Sequence, residues 1–293
     1  MIECVPNFSE GRDPDFMEAI REAILDGTET RILDQSADPD HNRSVFTLAG
    51  TPDSLTESVF QFTRAAIERI DMRDHKGVHP CIGAVDVIPF IPLYDTSMSE
   101  CIALSERVAK LLADSFEMPV YLYGKSARIP EHQRLADIRR GGYAALAHEI
   151  HSVPERHPDF GPAQLPPYGG CSVGARDFLI AWNIYLDTAD IAIAKAIAGT
   201  IRESSGGLKG VQAIGLPVKG RTQVSMNITD FHAAPLKKVY EAVDRLADKA
   251  ETGILSSELI GLLPQAALAG SSAEALKISN FSPERIIENR LFV

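Results

Sequence analysis

The sequence predicts an α/β (α+β) chain made of two β-α-β-β-α-β units in tandem, on three observations. Strand-like segments alternate with helix-like ones from the first residue onward. The same element order then runs a second time, although no sequence repeat accompanies it. Between the two runs lies a stretch rich in Pro, Gly and His, residues 149–174, whose composition suits a connector better than a helix or a central strand. Two split β-α-β units correspond to two ferredoxin-like subdomains, expected over 1–176 and 177–293, with a ligand cleft between them.

Taken in order, the first unit reads as a strand at 2–6, a helix at 14–25, strands at 31–35 and 44–49, and a helix at 54–70. That last helix is marked by Leu55, Val59, Phe62, Ala66 and Ile70 at helical spacing, and by the capped start Thr51-Pro52-Asp53-Ser54. A strand at 84–89, a helix at 99–115 and a strand at 119–123 follow. The second unit opens with a strand at 178–186 and a helix at 189–202 behind the cap Asp187-Thr188. Strands at 211–217 and 222–229 form a hairpin through the turn Val218-Lys219-Gly220-Arg221, and an amphipathic helix occupies 235–249.

Composition narrows the function. The formal net charge of −11 repels a nucleic-acid backbone, so no nucleic-acid partner is expected, and an anionic small molecule would need a local cluster of Arg and Lys. No apolar run reaches 18 residues, and the start MIECVPNFSEG has neither the basic flank nor the apolar core of a signal peptide, so no membrane partner and a cytoplasmic location are expected. Cys4, Cys81, Cys101 and Cys171 show no Cys-x-x-Cys spacing and read as free thiols.

Two segments concentrate chemistry. DPDHNRSVF, residues 38–46, sets two carboxylates, an imidazole, an amide and a guanidinium between two strands; such residues also make an ordinary polar turn. In DHKGVHPCIGA, Gly77 and Pro80 make a loop of the segment that carries His75 and His79. The two histidines with Asp38, Asp40 or His41 could hold a metal, but no His-Glu-x-x-His or comparable spacing supports this, and no metal is expected. General acid/base work suits a loop imidazole better, and a structural histidine stays the alternative. Lys76, Arg176, Lys209 and Arg221 lie beside glycines or a strand end, as carboxylate anchors could; SSGGLKGVQAIG lacks the pattern of a nucleotide loop.

The blocks ECVPNFSEGR, DHNRSVFT, HKGVHPCIGAVDVIPFIP, PVYLYG, PDFGP, GARDFLIAWNIYL, GGLKGVQAIG, QVSMNITDF and NFSPERIIENRL, in this order from residue 3 to about 291, resemble the glutamate formiminotransferase family. The resemblance implies transfer of the formimino group from N-formimino-L-glutamate to N5 of tetrahydrofolate, the co-substrate, in histidine breakdown by a homodimer. It makes His79 the catalytic histidine. It also assigns folate binding to GPAQLPPYGG, that is Gly161, Pro162, Ala163, Gln164, Leu165, Pro166, Pro167, Tyr168, Gly169 and Gly170. On this reading Asp38 and Asp40 stabilise the cationic formimino group, while Arg43, Lys76, Arg176, Lys209 and Arg221 take the substrate carboxylates. The chain departs from the pattern HKGEHPR at Val78 and Cys81, and carries Trp182 and Tyr185 where FNIN or FNVN is usual. No cyclodeaminase portion is expected within its 293 residues. A metal-dependent formiminoglutamate hydrolase and a non-catalytic folate-binding module are the alternatives.

Overall fold

The computed structural model describes residues 1–77, 79–218 and 220–291. Val78, Lys219 of the expected turn at 218–221, Phe292 and Val293 lie outside the described residues. The chain divides into two units, Met1–Arg176 and Asp177–Val293, each with its own sheet.

The strand expected at 2–6 is two strands, β1 (Ile2–Cys4) and β2 (Asn7–Phe8), because Pro6 has no N–H to give a ladder. The Pro6 carbonyl still accepts from Phe46 N–H at 3.1 Å, so both pieces stay in one sheet. Helix α1 (Pro14–Leu25) leads to β3 (Arg31–Asp38) and β4 (Arg43–Gly50), then α2 (Pro52–Ile67) and β5 (Val85–Pro92). The cap of α2 is as expected: Thr51 and Ser54 satisfy each other's backbone N–H groups. Strands β1 and β2 both lie between β4 and β5, antiparallel to each, with β3 outside β4. Phe8 meets Phe16, Phe46 and Phe62 edge to face at 5.9, 5.8 and 5.2 Å, which fastens β2 to α1, β4 and α2.

Beyond β5 the unit is extended by α3 (Met98–Phe116), β6 (Val120–Gly124) and β7 (Cys171–Ala175). Strand β7 lies between β5 and β6, parallel to both. This corrects the reading of 149–174 as free of central strand: its last residues begin β7. Gly174 permits this, since a Cβ there would collide with the backbone carbonyl of Tyr123 on β6. Along β6, Val120 and Leu122 enter the main core, whereas Tyr121 and Tyr123 face a second cluster with Ile138, Leu146 and Ile150. Those three come from α4 (Leu135–Ile138), α5 (Gly142–Glu149) and the residue after α5, short elements that the sequence does not announce. Buried Arg156 holds the turn between the two helices, donating to the carbonyls of Asp137 (3.2 Å), Ile138 (2.7 Å) and Arg140 (2.9 Å).

The second unit has β8 (Ile180–Leu186), α6 (Ile191–Ile201), β9 (Val211–Val218), β10 (Arg221–Ile228), α7 (Leu236–Lys249) and β11 (Ile254–Ile260). Its strands run in the order β11-β8-β10-β9, all antiparallel. Ile180, Trp182, Ile184 and Leu186 alternate inward along β8 to meet Ile197 of α6 and Val239 and Val243 of α7. The cap of α6 is Asp190, whose carboxylate accepts from Ala192 N–H at 2.9 Å, and not the expected Asp187-Thr188. Asp187 instead pairs with Arg221. Among the described residues all four cysteines are free and buried, and no helix is long and apolar enough to cross a membrane.

Segment 161–170 is stitched to the start of β5. Ala84 N–H donates to Tyr168 O at 2.8 Å, Gly170 N–H to Ile82 O at 3.0 Å, and Met72 N–H to Pro167 O at 2.8 Å. Gly83 and Gly169 pair as an isolated bridge, where a Cβ on Gly83 would overlap the carbonyl of Gly170. The clashing atom is backbone and cannot swing away. Gly83→Ala is therefore expected to destabilise the first unit by about 1–3 kcal/mol or more, read as a lower urea midpoint. Wild-type stability in the variant would show that the two backbones are not held this close.

Candidate active site

His79 lies, half-buried, in the loop between α2 and β5. The β3–β4 turn is brought to that loop by Asn42. This residue is buried and left-handed (φ 49°), a conformation that asparagine tolerates better than most residues. Its Oδ1 accepts from Gly11 N–H at 3.0 Å, while Nδ2 donates to the Lys76 carbonyl at 3.2 Å and lies 3.4 Å from His75 Nδ1. Gly77 packs under this pin, since a Cβ there would collide with the His41 carbonyl. The His41 and His79 rings come within 6.5 Å of each other, centroid to centroid.

Asp38 closes the turn. Its Oδ1 accepts from the N–H groups of Asp40 and His41 at 2.9 Å each, and its Oδ2 lies 2.7 Å from His41 Nδ1. Its slight burial would raise its pKa, but the hydrogen bonds from His41 and Asp40 outweigh that and lower it. Arg43, next along the turn, donates through Nε to Asn7 Oδ1 at 2.9 Å and through a terminal nitrogen to the same oxygen.

A second cation approaches from the α4–α5 turn. Arg139 pairs with Asp86, a carboxylate only 3 % exposed on β5, which also accepts from Ile82 N–H at 2.8 Å. Burial and the nearby Arg139 charge lower Arg43 to about 10. Burial, then the charges of Arg43 and Arg139, depress His79 to about 4, so its imidazole is neutral at pH 7. Cys81 is pushed up to about 11 by burial and by Asp86, which keeps it a thiol. The Nε2 atoms of His75 and His79 and Nε of Arg139 are buried without hydrogen-bond partners.

The structure thus gathers Asp38, Arg43 and His79. Lys76 joins them through its carbonyl with its side chain exposed, and 161–170 joins through the backbone bonds to Ile82 and Ala84. Asp40 is exposed at the turn. Arg176 acts on buried Glu3, which burial raises to about 7 against the pull of that guanidinium. Lys209 and Arg221 are exposed residues of the second unit. Sequence reasoning missed Asn7, Asp86 and Arg139, and singled out the amide of Asn42 without giving it a role. Asp86 had a signal, a lone carboxylate inside the apolar run AVDVIPFIP, which had to find a cation. Arg139 had none. Among the described residues no three His, Cys, Asp or Glu side chains are grouped as metal ligands.

Comparison with known proteins identifies the family. Residues 1–176 match the model of the formiminotransferase domain, N-terminal subdomain, and residues 181–284 that of the formiminotransferase domain. The chain is 41% identical to glutamate formimidoyltransferase of Thermoplasma acidophilum over 99% of its own length and 97% of the relative's. It is 38% identical to the enzyme of that name from Streptococcus pyogenes serotype M1, over 99% and 98%. With formimidoyltransferase-cyclodeaminase of Rattus norvegicus the identity is 42% over 93% of the chain, which spans about half (52%) of that longer protein.

Burial, and then the two arginines beside His79, set its protonation. An NMR titration should find His79 well below the ordinary 6.5, near 4, and Arg43→Met should raise it, because a lost cation favours the imidazolium. Half-buried and neutral when folded but charged when unfolded, this histidine costs stability as pH falls from about 6.5 toward 4, where the unfolded chain binds the extra proton. A wild-type value near 6.5, unmoved in Arg43→Met, would contradict the arrangement.

Proposed function

The chain belongs to the formiminotransferase family, and from that premise we propose that it is a glutamate formimidoyltransferase, moving the formimino group of N-formimino-L-glutamate to N5 of tetrahydrofolate. The observation that carries the mechanism is the half-buried, neutral imidazole of His79 beside two guanidinium groups and the Asp38–His41 pair. N5 attacks the formimino carbon and a C–N5 bond forms. His79 takes the N5 proton, and the tetrahedral centre collapses as His79 returns that proton to the glutamate nitrogen, breaking the old C–N bond. One imidazole serves both transfers and ends as it began.

The donor's formimino group is an amidine, cationic when protonated, and Asp38 is proposed to face it, with Asp40 exposed beside it. Arg43 and Lys76 are proposed for the substrate carboxylates nearest His79, with Arg176, Lys209 and Arg221 for those further along the two substrates. Segment 161–170 is proposed as the folate segment. Its bonds to Ile82 and Ala84 support this, since they tie it to the loop that bears His79. Tyr168 donates its hydroxyl to the Phe116 carbonyl and packs against the core, giving the segment a fixed base. Strand order supports the proposal of two ferredoxin-like units: β3-β4-β1/β2-β5 in the first and β9-β10-β8-β11 in the second place equivalent strands alike. A homodimer in the cytoplasm belongs to the same proposal, the latter supported by four free thiols.

Turnover is read as the absorbance of 5,10-methenyltetrahydrofolate after acid treatment of the product. His79→Asn should lower kcat at least about a hundredfold and leave folate binding intact, because the lost interaction is proton transfer in the transition state. Near wild-type turnover in that variant would refute the assignment, and folate binding without wild-type turnover would favour a binding module. Exhaustive chelation should leave the rate unchanged; loss on chelation with recovery on adding zinc would instead favour the hydrolase.

A further inference from the structure

Arg139 is held through its side chain and through the backbone beside it. Asp86, nearly inaccessible, fixes one end of its fork, and Arg156, itself 3 % exposed, donates to the carbonyls of Asp137, Ile138 and Arg140, on both sides of Arg139 in the chain. Such a frame leaves the side chain little freedom. Asp86 takes one terminal nitrogen, whereas the buried Nε–H has no acceptor. A buried unmade hydrogen bond is costly, and a guanidinium presents its Nε–H and a terminal N–H as a fork matched to a carboxylate. The charge of Arg139 acts on both Arg43 and His79, so the three groups lie within one another's field. Asp86 offsets only one of the two arginine charges there.

We propose that Arg139 is a substrate-recognition residue that, with Arg43, binds a carboxylate of the formimino donor next to His79. The inference rests on the transferase reading above and deepens it. Arg139 takes no part in proton transfer; its fork and charge fix where the donor's formimino carbon lies relative to the imidazole. Asp86 and Arg156 act through Arg139 as positioning residues. A neutral formimino compound of the same shape would lose this contact.

The experiment compares wild type with Arg139→Met and Arg139→Lys, using formiminoglutamate and its two mono-amides as donors. In Arg139→Met the donor KM should rise about tenfold or more, the loss expected of a charge-assisted hydrogen bond, while the folate KM stays within about twofold. Wild type should discriminate against one of the mono-amides, and Arg139→Met should lose that discrimination. Should Arg139→Met not fold, Arg139→Lys, which keeps the charge but not the fork, is expected to retain the fold and show the same split to a smaller degree. An unchanged donor KM with amide discrimination intact overturns the proposal, as does an equal rise of both KM values. Calorimetric binding of L-glutamate separates this from failure of the transferase reading. If wild type transfers nothing, that reading falls, and Arg139 is judged by whether Arg139→Met weakens glutamate binding about tenfold.

Discussion

A carboxylate buried inside an apolar strand is the constraint on which the site depends. Asp86 sits in β5 among residues that are almost all inaccessible, and an isolated charge there would cost several kcal/mol. The structure answers with two partners from opposite directions in sequence, Ile82 N–H on one side and Arg139 on the other. The first fixes the end of the loop that carries His79, four residues before the strand's carboxylate turns inward. The second draws the α4–α5 turn onto the sheet, where Arg156 completes its anchoring. Three segments that share no local pattern are thereby held to one point, and 161–170 is laced onto the same loop through Gly83, Gly169 and Gly170.

The electrostatics of the pocket run against those of the chain. Over a protein of net charge −11, Arg43 and Arg139 form a local cationic pair, and the histidine beside them is kept from protonation. A base depressed that far is always available at neutral pH but is weak. Burial is the larger cause of that depression and the arginine charges the smaller, so a carboxylate bound against the arginines would offset only the charge part.

What the sequence made legible follows from the range of each interaction. Helix α2 is announced by its own cap and periodicity, and the Asp38–His41 pair is three residues apart, so both could be read locally. The Asp86–Arg139 pair spans 53 residues, and nothing in DIRRGG marks which arginine would turn inward. Strand β7 is hidden for another reason. Its sequence, CSVGA, follows a long Pro/Gly stretch and contains a glycine, which is there because β6 leaves no room for a Cβ. The criterion of a basic residue beside a glycine finds loops and turns. It selected Arg221, which pairs with Asp187 at the neighbouring end of β8, and it passed over Arg139, which lies two residues from Gly141.

Cys81 shows how this chain differs from the pattern it resembles, in which an arginine stands after the His-Pro pair. The thiol is buried and its pKa is raised by burial and then by the charge of Asp86, so position 81 lies within that carboxylate's field. A guanidinium at this position would offer Asp86 a second cation and loosen its hold on Arg139. With cysteine there, uncharged at neutral pH, Asp86 keeps its hydrogen bond to Ile82 and its ion pair with Arg139. Cysteine thus adds no further cation beside the buried pair, and the charges that act on His79, after burial itself, include those of Arg43, Arg139 and Asp86.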